Sequence, residues 1–517
     1  MLQKDNISPD VVTCSTLMTT FDKGRNWKAA VKLLNAMRSS STIADIEQKK
    51  WSLPLPNTYT YSLAISVCAR CNQGEVALSL LDQMTEESAS LAASNDEENV
   101  VDGGARPNNW VYNAALLACA ESTKSTAKQT KSKGVHLTTA LDILEKMEDS
   151  DGMNDALPDT VTYNTVLSAI DGRSFDATKE ESTQNKQNNT RLIKHDHIID
   201  LVADILDSMK ARGIARDAIT YYNAITACNL NAEDSLAILR RAVSDMDFIE
   251  MTSNKNEVVE ATTSQLKGRA ATGIIFVANA ALLAVAKSGD IHAVPEILEM
   301  LSKANSKLNA ESIVHIIRSL GKNDDCEAIL ALLICLRAQD FANDILVHRY
   351  SIDILSNLSS DSLPMIEERI YSAAITSCLR QDELGMADHI LVSMKKNGLY
   401  LNQRSLKEII AEYCRMAMTS SKEEFKVARL AKRQQINLSR YGIVEPIYIT
   451  SRARTKAALA VLKAVDKPLV TPNLLGTVAK ACCAAGLWQD ARSTLRRMHR
   501  AAISELRSQG NGSGGDR

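Results

Sequence analysis

The residues of this 517-residue chain with the strongest chemical potential are its eleven cysteines and eight histidines. Two tight groupings stand out, Cys68-Ala-Arg-Cys71 and His195-Asp-His197. A zinc site asks for a paired set of such motifs, and the CxxC here is alone. The two histidines stand at i and i+2 at a helix entry and point to different faces. Neither group is read as a metal site, and no cofactor is expected. A zinc deaminase needs His-x-Glu with Pro-Cys-x-x-Cys, and the chain has neither. It also lacks a GxSxG elbow, a P-loop and a clustered set of carboxylates after its repeating part. The sequence reads as non-catalytic, with no small-molecule substrate.

What recurs instead is a stretch with an amide or hydroxyl at a fixed place. Pro158-Asp159-Thr160-Val161-Thr162-Tyr163-Asn164 has relatives at Pro9 to Ser15, Pro56 to Ser62 and Pro107 to Asn113, and a later one at Asp217 to Tyr222. Each begins with a turn signal and passes into an apolar and polar alternation of helical type, here called helix A. Most are followed by a second helix, B, in which alanine and methionine stand seven apart: Ala30/Met37, Ala77/Met84, Ala140/Met147, Ala387/Met394 and Ala491/Met498. That spacing lays them on one stripe.

A lone pair of such helices cannot bury its stripe, so neighbouring pairs must stack. The expected fold is all-α, a right-handed α-solenoid of helix-turn-helix repeats. The undisturbed spacing is 35 residues, as from Asn279 to Val314 and from Ser372 to Lys407.

The composition agrees, with 4% aromatic and 45% hydrophobic residues suiting thin helical layers. No apolar run is long enough to span a membrane. Cys68, Cys119, Cys228, Cys378 and Cys482 each stand six residues after the same helix A position, which marks them as small packing residues in a reducing compartment. Charge is divided unevenly. Residues 403–517 hold 21 Lys/Arg against 9 Asp/Glu, leaving 39 against 53 for residues 1–402. The basic third, with Arg429, Lys432, Arg433, Arg452 and Arg454, is a candidate phosphate-binding surface.

Along the chain, residues 1–10 read as the tail of a preceding repeat, so the chain is expected to be truncated at its N-terminus. Repeats fill 11–270, interrupted by polar inserts at about 39–54, 88–106, 122–134, 172–194 and 251–269, which are expected to be mobile loops. Residues 271–402 hold further repeats, degenerate between 309 and 363. Residues 403–507 form basic helical repeats, and 508–517 a disordered tail.

The Val-Thr-Tyr-Asn opening, the preceding Pro-Asp, the Ala to Met stripe and the 35-residue period resemble the pentatricopeptide repeat. The resemblance is strong from Pro9 to Met209 and legible from Ile275 to Asn402. It implies a reader of single-stranded RNA, one base per repeat. The implied edge-reading positions are Ser15, Ser62, Asn113, Asn164, Asn279 and Ser372, with Tyr222 occupying the same place. Their partners, each just before the next repeat, are Asn57, Asn108, Asp159, Asp217 and Asn402. Val12, Tyr59, Trp110, Val161, Ile219 and Phe276 supply faces for base stacking.

By the family's pairing rules, Ser with Asn prefers adenine and Asn with Asp uracil. Ser15/Asn57, Ser62/Asn108, Asn113/Asp159 and Asn164/Asp217 then read a 5′-AAUU-3′-like tract, and Ser372/Asn402 another adenine. Tyr222, Val314, Lys407 and Gly476 depart from the pattern. Helix capping is the structural alternative for the Asn and Ser residues. The resemblance also implies a mitochondrion or chloroplast and a role in transcript stabilisation, processing, splicing or translation, with other RNA-processing proteins as partners. The competing function is a protein-binding scaffold within an organellar ribonucleoprotein or ribosome.

Overall fold

The computed structural model describes residues 9–39, 53–93, 105–124, 130–149, 156–170, 197–228, 231–253, 260–338, 343–353, 368–433, 449–463 and 470–510. The chain divides into two compact bodies, Met1–Ala281 and Leu282–Arg517. The described residues are helical with no strand, and the fold is an all-α solenoid of stacked helix pairs.

In the first body the pairs are α1 (Val11–Lys23) with α2 (Trp27–Ser39), α3 (Thr58–Arg70) with α4 (Gly74–Ala93), α5 (Asn109–Lys124) with α6 (Thr130–Glu148), α7 (Thr160–Ala169) with α8 (Ile198–Ala211), and α9 (Ala218–Ala227) with α10 (Ala232–Ser253). Helix α11 (Glu260–Ser288) crosses into the second body, which continues with α12 (Val294–Lys303), α13 (Ala310–Lys322), α14 (Cys326–Ala338), α15 (Asn343–Tyr350), α16 (Glu368–Arg380), α17 (Leu384–Lys396), α18 (Gln403–Arg433), α19 (Ile449–Lys463), α20 (Pro472–Ala484) and α21 (Trp488–Gly510).

Helices A start where they do because a short polar side chain caps them. Asp10, Asn57, Asp159, Asp217 and Asn309 stand in extended conformation and accept the amide N–H three residues on, from Thr13, Thr60, Thr162, Thr220 and Ser312, at 2.7–2.9 Å. Asn108 and Asn402 do the same for Val111 and Ser405. At Asp159, Asp217 and Asn309 the Thr or Ser hydroxyl takes the cap's own N–H in return, closing a capping box. Each cap contributes about 1 kcal/mol. Asn309 thereby gives a clear start to a repeat in the stretch expected to be degenerate.

Successive helices A lie one on the next, α1 on α3, α3 on α5, α5 on α7 and α7 on α9 in the first body, and α13 on α16, α16 on α18 and α18 on α20 in the second. Helices B pack behind them. The alanine and methionine stripe is the buried side of B: Ala30, Met37, Ala77, Met84, Ala140, Met147, Ala387 and Met394 are all at most 1% exposed. The five recurring cysteines are buried, four of them on helices A and Cys228 at the C-cap of α9. Burial pushes the thiols of Cys68, Cys119 and Cys228 up to about 12 and that of Cys482 to about 11, so they are packing groups held as thiols.

The fourth residue of helix A is a fully buried tyrosine in four repeats, Tyr61, Tyr163, Tyr221 and Tyr371. Each hydroxyl finds a polar partner: Tyr61 donates to Glu87, Tyr163 to Glu148 and Tyr221 to Asp245, while Asn397 donates to Tyr371. Arg38 closes on Glu87 and Arg216 on Asp245. The tyrosine links fix helix B against helix A, and the Arg38–Glu87 pair ties α2 to α4.

The expected inserts fall largely outside the described residues, but helices run into their margins. Helix α4 extends to Ala93, α5 to Lys124, α6 starts at Thr130, α10 ends at Ser253 and α11 starts at Glu260. Residues 260–269, expected as loop, are therefore helical. Residues 508–510, expected as disordered tail, belong to α21. Adding a residue to a packed helix costs far less than starting one, so helices outrun their apolar stripe into polar sequence. His195 lies outside the described residues, and His197 occupies the cap position of α8 without a side-chain cap bond.

Candidate nucleic-acid interface

The second and fifth residues of a helix share a face, being three apart. In α1, α3, α5, α7 and α9 the second residue is Val12, Tyr59, Trp110, Val161 and Ile219, and the fifth is Ser15, Ser62, Asn113, Asn164 and Tyr222. Phe276 on α11 is the sixth member of the first series. These six large apolar side chains are 44% to 78% exposed, although the other apolar residues of helices A are mostly buried. An exposed hydrophobe recurring once per repeat on a face where helices A abut is a ladder of flat or aliphatic surfaces open to solvent.

The fifth residues sit inside the helix and cap nothing; capping falls to their partners. Asn57, Asn108, Asp159, Asp217 and Asn402 each close the start of one helix A, and Asp159 and Asp217 do so beside the fifth residue of the helix A before it. In two repeats the pair is in direct contact. Asn113 Nδ2 donates to Asp159 Oδ1 at 3.4 Å, and Asn164 Nδ2 to Asp217 Oδ1 at 3.3 Å.

The two Asn/Asp pairs are not equivalent. Around Asp159, Asn109 Nδ2 donates to Oδ2 at 2.9 Å, and the Thr162 hydroxyl lies within reach of Asp159, Asn113 and Asn109. Burial pushes the Asp159 carboxyl up, but the bonds from Thr162, Asn109 and Asn113 outweigh it and hold the group below the usual carboxylate range. Around Asp217 no such network forms. Asp217 is exposed, and the Asn164 Oδ1 is a buried acceptor with no hydrogen-bond partner. An orphaned buried acceptor costs about 1–3 kcal/mol and is a natural seat for an incoming N–H.

The serines are self-satisfied as donors. Ser15 gives its proton to the Val11 carbonyl at 2.8 Å, Ser62 to Tyr59 at 2.8 Å and Ser372 to Arg369 at 3.1 Å. Each hydroxyl oxygen is left as an acceptor. With the cap taking only the Oδ1 of Asn57, its Nδ2 is a donor. Acceptor beside donor matches the adenine edge, which pairs an amino donor with a ring acceptor. An acceptor carboxylate beside an amide donor matches uracil, whose single N–H stands between two carbonyls: the carboxylate takes the N–H and the amide N–H faces a carbonyl.

The remaining expected positions behave differently. Asn279 is buried on α11, whose helix continues upstream, so the cap position before it is held by the buried Ile274. Asn402 is turned to Glu368, to which its Nδ2 donates. In the second body the second helical residues are Glu311, Arg369, Arg404 and Asn473, so the exposed apolar ladder ends with the first. Arg454 is not a free cation: it is engaged by Asp382, Ser420 and the Met416 carbonyl, with 12% of its side chain exposed. Arg452 is exposed and donates to the Ala485 carbonyl at 3.1 Å. The side chains of Arg429, Lys432 and Arg433 lie outside the described residues.

Among the described residues no helix is long and apolar enough to cross a membrane, and no group of His, Cys, Asp and Glu is arranged to hold a metal.

The family model for the PPR repeat matches residues 59–88 and 475–503, and that for a pentatricopeptide repeat domain matches residues 1–41. A comparison with curated proteins finds no match. Among solved structures the chain is similar to the pentatricopeptide repeat protein PPR10 from maize, at 18% identity over 96% of this chain and 65% of that one, with a TM-score of 0.31. It is also similar to PPR10 in complex with an 18-nt psaJ RNA element, at 16% identity over 95% of this chain and 79% of that one, with a TM-score of 0.20. The chain thus spans under two thirds of the length of the first of these.

Proposed function

The chain belongs to the pentatricopeptide repeat family, and from that premise we propose that it binds single-stranded RNA selectively, one base per repeat, along the face of helices A in the first body. The observation that carries this reading is the threefold recurrence in repeats 1 to 4: an exposed apolar second residue, a polar fifth residue, and a polar cap beside it, in contact as Asn113/Asp159 and Asn164/Asp217. Bases would stack on Val12, Tyr59, Trp110 and Val161 while the pairs take their edges. The preferred tract is 5′-AAUU-3′, read in parallel orientation. Arg452 is the one phosphate candidate of the second body whose described side chain is exposed.

The action is binding, with consequences for transcript stability, processing, splicing or translation in a mitochondrion or chloroplast. The test is binding of the purified chain to single-stranded RNAs centred on AAUU and on GGCC at physiological salt. A clear preference for the first, weakened by Asn164→Ala, supports a base-reading groove. Equal, strongly salt-dependent binding reduces it to an electrostatic surface. Binding to neither points to the protein scaffold.

A further inference from the structure

The fifth repeat departs from the four before it in a specific way. Its fifth helical residue, Tyr222, lies against Phe276, the apolar second-residue equivalent of the following helix A. The rings are stacked, with centroids 4.7 Å apart and planes 27° from parallel. In repeats 1 to 4 the corresponding residue is a Ser or Asn, which leaves the next apolar face uncovered.

We propose that repeat 5 closes its own base slot, so that Tyr222 ends the readable tract after four nucleotides. This rests on the base-reading function proposed above. Three observations support it. The Tyr222 ring occupies the face of Phe276 on which a base would stack. The polar partner is missing too, since the residue in the place of Asp159 and Asp217 is Ile274, 5% exposed. The backbone around Tyr222 is held in register, because the neighbouring Asn223 donates its Nδ2 to the Asn164 carbonyl at 3.0 Å.

An entering fifth base must break an aromatic pair and then meets no hydrogen-bonding side chain at the cap position. The fourth base meets the opposite situation, with the unpartnered Oδ1 of Asn164 and the exposed carboxylate of Asp217 both accepting. Tyr222 therefore acts as a specificity-determining residue by exclusion. It sets where reading stops, and the RNA beyond it is held without regard to base.

The experiment uses the full chain and 5′-AAUUU-3′ RNAs carrying an abasic site at the fourth or the fifth nucleotide. For the wild-type chain, the abasic site at position four should weaken binding roughly tenfold, the value of a lost stacked base. At position five it should change binding less than twofold. In Tyr222→Asn the slot opens between Ile219 and Phe276, and the fifth-position abasic site should now cost roughly fivefold or more. A wild-type penalty at position five equal to that at position four overturns the proposal, as does an unchanged fifth-position penalty in Tyr222→Asn. If neither abasic site matters and AAUU binds no better than GGCC, the base-reading function itself fails and this inference with it.

Discussion

Asp217 separates folding from reading more sharply than any other residue of the groove. Its Oδ1 accepts the Thr220 amide and hydroxyl, each at 2.8 Å, and Asn164 Nδ2 at 3.3 Å. Asp217→Ala removes the cap and the base-edge partner together. The cap is worth about 1 kcal/mol, or about 2–4 °C in the melting of a body of this size. Asp217→Asn keeps the cap, because an amide oxygen accepts the N3 amide equally well, as Asn57 and Asn309 show on their own helices. What changes is the second terminal atom, where an N–H donor replaces an acceptor. Uracil's N–H then meets a donor, and one hydrogen bond of about 1 kcal/mol is lost, roughly a fivefold fall in preference for uracil at the fourth position. Circular-dichroism melting and fluorescence anisotropy with AAUU and AAUC RNAs read the two effects separately. Asp217→Asn with unchanged melting but reduced U over C discrimination is the expected pattern. If it melts as wild type and discriminates as wild type, the pair does not read bases.

Three further outcomes follow from particular contacts. Trp110, 78% exposed, should lose about 1–3 kcal/mol of RNA binding on replacement by alanine, with melting unchanged; a fall in melting temperature without an affinity loss would assign it to the fold instead. Gly321→Ala places a Cβ about 2.7 Å from the Ser377 Cβ where α13 meets α16, an overpacking of about 1–3 kcal/mol, which urea denaturation would detect and which Ser377→Gly should relieve. His315 is buried, and burial with the nearby Arg318 lowers it to about 4 from 6.5. The unfolded chain binds the proton first, so stability is full above pH 6.5 and falls progressively as pH drops toward 4; His315→Gln should flatten that part of a melting-temperature profile.

Much of the groove was legible because two periodicities coincide in it. The Pro-Asp or Pro-Asn turn before an apolar and polar alternation marks a helix start by capping chemistry, and the structure places the cap where that chemistry requires. The alternative of capping for the Asn and Ser series does not hold: the capping residues are the partners such as Asp159 and Asp217, while Asn113 and Asn164 sit one turn inside. The Tyr222 and Phe276 stack was not legible, since the two residues are 54 positions apart and only the tertiary fold brings their rings together. The engagement of Arg454 by Asp382 was hidden for the same reason. Charge counting finds a basic region but not which guanidinium is already neutralised by its own fold. The helical margins of the inserts were missed because composition reports what a segment cannot bury, whereas a helix already nucleated in a packed layer extends through polar residues regardless.

The double duty of the cap residues constrains which bases such a groove can name. A residue that must accept an amide N–H three positions on is confined to Asp, Asn, Ser or Thr, with glycine a weaker substitute. In the proposed function, reading would therefore use whatever terminal atom the cap leaves over: an acceptor in Asp217, a donor in Asn57. The fifth residue, free of capping, supplies the complementary group, and here it ranges from Ser to Asn to Tyr. Where the cap is abandoned, at Ile274 in the middle of α11, the polar half of the pair goes with it, and an aromatic stack fills the space. On the proposed reading, loss of the helix start and loss of the base slot go together. Restoring reading at this place therefore needs both changes, Tyr222→Asn and Ile274→Asp, and the second should also break α11 at a new helix start, which amide hydrogen exchange over 260–274 would report as faster exchange than in the wild-type chain.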